Sequence, residues 1–233
     1  VRLPYATPGY SQNKIMLCRT NPVDHPRLVP DATQGSNSNM IKAGIFDVGG
    51  VLHDTSIKYI YPDIITTLGI TKEAFDKAWK RLINRFGKGD ISEKEFWKVF
   101  IKQTQAVKPL PKESLFLREF IKHYNRHDNV LSLVQKLKRN GYKVAILSNS
   151  IPPHARYQYE IGIYQNFDVV VLSHEIGIQK PDPEIYTLTL EKLGISAPEA
   201  FFVDDDNANV EPAIKLGMHG LVFTSYRVLC NDL

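Results

Sequence analysis

Cysteine is scarce in this 233-residue chain: Cys18 and Cys230 are the only two, and they stand near opposite ends. They form no zinc, redox or disulfide-framework spacing, so a reducing, cytoplasmic setting is expected. Long hydrophobic runs are missing too. No stretch of about 18 apolar residues occurs, so no membrane-spanning helix is expected, and residues 1–40 lack the compact apolar segment of a signal peptide. An excess of one charge is also missing. Lys plus Arg number 29 and Asp plus Glu 25, a formal charge of +4. Four of those bases (Arg2, Lys14, Arg19, Arg27) and two acids (Asp24, Asp31) fall in residues 1–40, which leaves 25 against 23. No basic block remains of the kind a nucleic-acid partner requires. Lys136, Lys138 and Arg139 do cluster, but at an expected helix end, where cations suit the helix dipole.

What is present describes a folded protein. Hydrophobic residues make up 43% and charged residues 23%, enough for one large domain or a domain with an insert. Residues 1–40 read as a leader without a catalytic part, since five prolines (Pro4, Pro8, Pro22, Pro26, Pro30) and the run Gln34–Asn39 give no periodicity. The alternative is an arm that packs on the domain or on a neighbour. From Met40 onward, buried strands are expected at Ile41–Phe46, Lys143–Leu147, Asp168–Leu172, Ala200–Val203 and Gly220–Phe223. Helical patterns separate them, one with Asp128 as its N-cap and Gly141 past its end. This alternation predicts an α/β fold, a doubly wound and mostly parallel sheet.

Between Thr55 and His127 the pattern carries helix signals and no strand. Ser92 and Glu95 spell a capping box, with Ile91 and Phe96 as its hydrophobic staple. Thr71 caps a second helix whose apolar face is Ala74, Phe75, Ala78, Leu82, Ile83 and Phe86. A third covers 113–125. The expected organisation is therefore an α/β core from 41–55 and 128–233, interrupted by an all-helical cap at 56–127. Trp79 and Trp97 read as core of that insert. Arg81, Arg85 and Lys88 read as a solvated face, from which Arg85 or Lys88 can reach toward a ligand.

In a doubly wound sheet, ligands bind beyond the carboxyl ends of the strands. Those positions hold Asp47 in IFDVGGVLHDT, Ser148-Asn149, Lys180 in GIQKPDPEIY, and Asp204-Asp205 in FFVDDDNANVE. Three carboxylates directly after a buried strand repel one another unless a cation is near. Pro181 holds Lys180 in an extended loop, and Asp182 with Pro183 reads as a helix start. Asn209 reads as the cap of the next helix, with Pro212 in its first turn.

These four segments, in this order, resemble the haloacid dehalogenase (HAD) superfamily over residues 41–230, and the insert is similar to its helical cap. The resemblance implies a phosphatase for a small phosphorylated metabolite, with sugar phosphates favoured. Asp47 would be the nucleophile that forms a phosphoaspartate. Mg2+ would be held by Asp47, Asp204, Asp205 and the backbone carbonyl of Gly49, with Asp205 acting through a water or holding Lys180. Ser148 and Asn149, with the backbone amides around Gly50, would bind phosphoryl oxygens, and Lys180 would offset charge in the transition state.

One position departs from the pattern. Most phosphatases of the superfamily carry an acid/base Asp two residues after the nucleophile, where this chain has Gly49. Two alternatives therefore stand beside the phosphatase reading: a haloacid dehalogenase, which uses the same Asp without a metal, and a binding or regulatory protein that has lost turnover. The twin Asp204-Asp205 argues against the first. Nearby, Asp54 reads as a helix cap leading into Thr55 and Ser56, and His53 as a hinge residue rather than an acid. His123 and His127 read as solvated residues of one helix.

Overall fold

A computed structural model of the protein describes residues 40–54 and 57–233. The expected leader up to Asn39, Cys18 within it, and Thr55 and Ser56 lie outside the described residues. The elements in chain order are β1 (Ala43–Phe46), β2 (His53–Asp54), α1 (Ile57–Leu68), α2 (Lys72–Gly87), α3 (Glu93–Thr104), α4 (Leu115–Lys122), β3 (Asn125–Arg126), α5 (Asp128–Arg139), β4 (Lys143–Ser148), α6 (Pro152–Glu160), β5 (Val169–Leu172), α7 (Ser173–Ile176), α8 (Pro183–Leu193), β6 (Ala200–Asp204), α9 (Asn207–Lys215), β7 (His219–Val222) and α10 (Tyr226–Asp232).

Five strands form one parallel sheet in the order β5-β4-β1-β6-β7. The doubly wound α/β expectation therefore holds. Side chains alternate across the sheet with period two. Val144 and Ile146 of β4 and Phe201 and Val203 of β6 pack on one face with Leu131, Val134 and Leu137 of α5. Ala145 and Leu147 of β4 and Ala200 and Phe202 of β6 pack on the other with Ile185, Tyr186 and Leu190 of α8. A sheet buried on both faces leaves the strand ends as its accessible polar surface, and β1, at the centre, leads directly into Asp47.

The helices between β2 and β3 have a core of their own. Ile64, Phe75, Leu82, Phe86, Phe96, Trp97, Phe100 and Phe116 form it, joined by Ile151 from the loop after β4. The expected caps are in place. Thr71 accepts from the Ala74 N–H, and Ser92 with Glu95 makes the reciprocal box, each such cap contributing about 1 kcal/mol.

Several local readings change. His127, not Asp128, is the N-cap of α5, and it makes no side-chain cap bond. Asp206 caps α9 through the Ala208 N–H. Asn209 therefore lies inside that helix, and Pro212 sits beyond the first turn. The interval expected to hold no strand contains β3, which pairs antiparallel with β2 (His53 opposite Arg126, Asp54 opposite Asn125). This two-strand ribbon joins the helical insert to the sheet. His123 and His127 are on no common helix, and neither is merely solvated: His123 Nε2 lies 2.6 Å from Asp63 Oδ2, and His127 Nδ1 lies 2.9 Å from the Val51 carbonyl oxygen.

The ribbon is lined by imidazoles, His53 buried and His154 half-buried with its Nε2 enclosed. His53 packs against Phe120 and Tyr124, and His154 of α6 stacks on Phe120 at 4.1 Å between ring centres. Burial holds His154 down to about 3. Burial, followed by the charges of His154 and His127, does the same to His53. Neither ring carries a proton near neutral pH. Both folded values lie below the unfolded value of about 6.5, so between those limits the unfolded chain binds protons that the folded chain refuses. Their contribution is complete above pH 6.5 and is lost as pH falls toward 3. At pH 5 this amounts to about 2 kcal/mol for each ring. Urea midpoints should fall between pH 7 and pH 5, and His154→Phe should flatten that fall. Equal stability at the two pH values would contradict the burial of neutral rings.

Candidate active site

The carboxyl ends of β1, β4 and β6 converge with the loop after α7. Asp47 follows β1 directly, and its backbone N–H donates to the Val203 carbonyl of β6 at 2.8 Å. Parallel pairing thus sets Asp47 beside Asp204, the last residue of β6. Lys180 enters between them: its Nζ lies 2.9 Å from Asp47 Oδ1 and 2.5 Å from Asp204 Oδ2. All three side chains are buried.

Two neighbours hold this arrangement. Asn149, just past β4, accepts from the Lys180 N–H and donates from Nδ2 to the Lys180 carbonyl, both at 2.8 Å. This pair of hydrogen bonds fixes the lysine backbone and commits the Asn149 side chain to that task. Asp204 Oδ1 accepts from the Asp206 N–H at 2.8 Å and from Asn209 Nδ2 at 3.1 Å. Asn209 is thus part of the site, although the sequence suggests only a helix cap. Its position one turn into α9 carries no signal of that contact.

The electrostatics follow from this packing. Burial pushes the Asp47 carboxyl up to about 6, Lys180 pulls it down, and Asp204 adds to the rise. Burial disfavours the Lys180 charge, yet Asp47 and Asp204 together raise its pKa. Partial burial and then Asp204 raise the Asp205 carboxyl. Asp205 is not paired with Lys180. Its carboxylate lies over Gly50, where a Cβ would stand 2.3 Å from Asp205 Cγ and the backbone has φ +74°. Only glycine fits there. Gly49 differs: its φ is not positive, and a Cβ would meet nothing within 4 Å.

Oxygens of Asp47, Asp204 and Asp205 lie within 4.8 Å of one another, close enough to hold a metal ion. Hard carboxylate donors around a deficit of positive charge fit a hard divalent cation. Ser148 closes β4, buried, in register with Leu172. The tip of α2 borders the site. The Gly87 carbonyl accepts from Ser173 Oγ at 2.6 Å, and Ser173 Oγ accepts from the Ser150 N–H at 3.0 Å. The sequence reading passes over Ser173, because a serine after a strand is unremarkable until the insert docks on it.

A central parallel sheet whose strand ends gather carboxylates around a fixed lysine makes this an α/β protein with a polar site at the strand ends that can hold a metal ion. The family model for haloacid dehalogenase-like hydrolases matches residues 41–217, and the chain belongs to that family. The sesquiterpene phosphatase of Aspergillus oryzae is 28% identical over 193 residues, 82% of this chain and 94% of that protein. Mouse acyl-CoA dehydrogenase family member 10 is 27% identical over 195 residues, 79% of this chain but 18% of its own length. A HAD family enzyme of Bacteroides thetaiotaomicron, solved as a magnesium complex, superposes with a TM-score of 0.66 at 25% identity, covering 78% of this chain and 93% of that one. Among the described residues, no helix is long and apolar enough to cross a membrane.

Proposed function

We propose that the protein is a magnesium-dependent phosphatase for a small phosphorylated metabolite, sugar phosphates first among them. The observation that carries this reading is the Asp47–Lys180–Asp204 cluster at the strand ends, with Asp205 beside it. An Asp47 oxygen attacks phosphorus, the bond to the leaving oxygen breaks, and that oxygen takes up a proton. Water then hydrolyses the phosphoaspartate and restores Asp47. Asp47, Asp204, Asp205 and the Gly49 carbonyl are the groups to hold Mg2+, which when bound offsets the repulsion between carboxylate and phosphate.

The other residues work around this step. Lys180 spreads positive charge toward the phosphoryl group, and Asn149 positions it. The Ser148 hydroxyl and the amides around Gly50 orient phosphoryl oxygens. The helices of 56–127 act as a cap, and their docking through Gly87 to Ser173 shields the site from bulk water.

The test is phosphate release from a panel of phosphorylated metabolites, with and without Mg2+, beside halide release from 2-haloacids. Chelator-insensitive phosphate release, or halide release alone, would overturn the reading.

Gly49 offers no carboxyl to protonate the leaving oxygen. The rate should therefore fall steeply as the leaving group becomes more basic, so anomeric sugar phosphates and aryl phosphates should be preferred over glycerol phosphate. The open space at Gly49 accepts a side chain. Gly49→Asp should raise kcat/KM on alkyl phosphates by up to about 10²-fold, the lower range of general acid–base help, with little change on aryl phosphates. A plot of kcat/KM against leaving-group pKa for both proteins checks this. A flat plot for the native protein means that another group already supplies the proton.

A further inference from the structure

A second set of ligand-type side chains converges away from the strand ends. Asp63 of α1 meets Glu119 of α4 and His123, the C-cap of that helix, with ligand atoms all within 4.8 Å of one another. Glu119 and His123 are four residues apart, so they share one side of the helix end. His123 Nε2 lies 2.6 Å from Asp63 Oδ2. The ring is further oriented by Tyr59, which stacks on it at 5.6 Å.

Glu119 is the unusual member. Its side chain is 3% exposed. Oε1 accepts from the Arg118 guanidinium at 2.8 and 2.6 Å. Oε2 is buried and has no hydrogen-bond partner. The nearest cation to Oε2 is the Lys122 ammonium at 3.8 Å, beyond hydrogen-bond reach and already engaged with Asp63 at 2.6 Å. A buried carboxylate oxygen left unpaired is costly. Facing a second carboxylate makes it more so.

We propose that Asp63, Glu119 and His123 form a binding site for a divalent transition-metal ion of the zinc class, which clips α1 to α4 and is separate from the strand-end carboxylates. Two carboxylates and one imidazole make a mixed oxygen and nitrogen set, which suits zinc or cobalt. Magnesium and calcium favour all-oxygen sets. An ion among these three groups gives Glu119 Oε2 its missing partner. The ion displaces the Lys122 ammonium from Asp63. That side chain is 57% exposed and free to turn into solvent. Arg118 stays on Oε1 and holds the carboxylate in orientation toward the ion.

The test is titration of chelator-treated protein with Co2+ and Zn2+ in excess Mg2+, read by calorimetry and by the visible absorption of Co2+. One ion per chain is expected, with a raised Tm. Glu119→Gln and His123→Gln should each weaken binding at least about tenfold, and Asp204→Asn should leave it unchanged. Lys122→Ala should tighten binding severalfold, because a competing cation is gone. An ion pair cluster that holds no metal would instead show no stoichiometric binding and would only lose stability in Lys122→Ala. Absence of binding, equal affinity in His123→Gln, or loss of binding in Asp204→Asn each overturns the proposal. Should Glu119→Gln fail to fold, the His123 and Lys122 variants decide the question.

Discussion

Asp47→Asn should lose turnover by about 10⁴-fold or more, the scale on which removal of a covalent catalyst acts. An amide has no anionic oxygen to attack phosphorus, and the remaining groups only bind and orient. The fold should survive. Asn keeps the volume of Asp, the Asp47 N–H still donates to Val203, and Lys180 keeps its bond to Asp204. The change also removes a carboxyl that burial, with Asp204 adding to the rise, holds up at about 6. Urea midpoints of the variant and the native protein should therefore agree at low pH, where Asp47 is protonated, and the variant should be the more stable above pH 7, where the native protein carries a carboxylate whose folded pKa lies above its unfolded value. Retention of most of the turnover in the folded variant would remove Asp47 from the reaction.

The strand-end residues were legible in the sequence because a buried parallel strand has a recognisable composition and a sharp end. Ile45-Phe46-Asp47 and Phe202-Val203-Asp204 pass from apolar to acidic in one step, and parallel pairing of β1 with β6 then sets the two acids side by side. Contacts made across long sequence distance were not legible. Nothing local marks Asn149 as the clamp on Lys180, 31 residues away, nor Ser173 as the partner of Gly87, 86 residues away.

Helix starts show the same limit at short range. Asp128 and Asn209 are residues with cap chemistry, but each helix begins one or more residues earlier than they would place it. In α9 the Asp206 side chain reaches the Ala208 N–H first, which leaves the Asn209 amide free to turn to Asp204. Tertiary demand for a donor at Asp204 outweighs local preference there. The β2–β3 ribbon escaped notice because two-residue strands have no period to detect.

Lys180→Met should be the most destabilising single change at the site, by about 3–5 kcal/mol, the cost of leaving buried charges without their partner. Methionine keeps the apolar stem that packs near Phe202 and removes only the ammonium. Asp47 and Asp204 then face each other with one hydrogen-bonded oxygen lost from each. The structure can relieve this by keeping a proton on Asp47, whose folded pKa, already about 6 against about 3.8 unfolded, rises further without the lysine. A folded value above the unfolded one means that the folded state binds the extra proton. Stability of the variant should thus be greatest at low pH and fall as pH rises through that folded value, with the largest gap from the native protein at pH 8. If these carboxylates hold Mg2+, the ion should restore part of the loss in the variant. Adding Asp47→Asn to Lys180→Met should restore most of it without any ion, giving a coupling between the two sites that a double-mutant cycle measures directly. Urea midpoints from pH 5.5 to 8 are the measurement. A loss that is the same at every pH, or that the double variant fails to recover, would mean that lost packing and not uncompensated charge accounts for the effect.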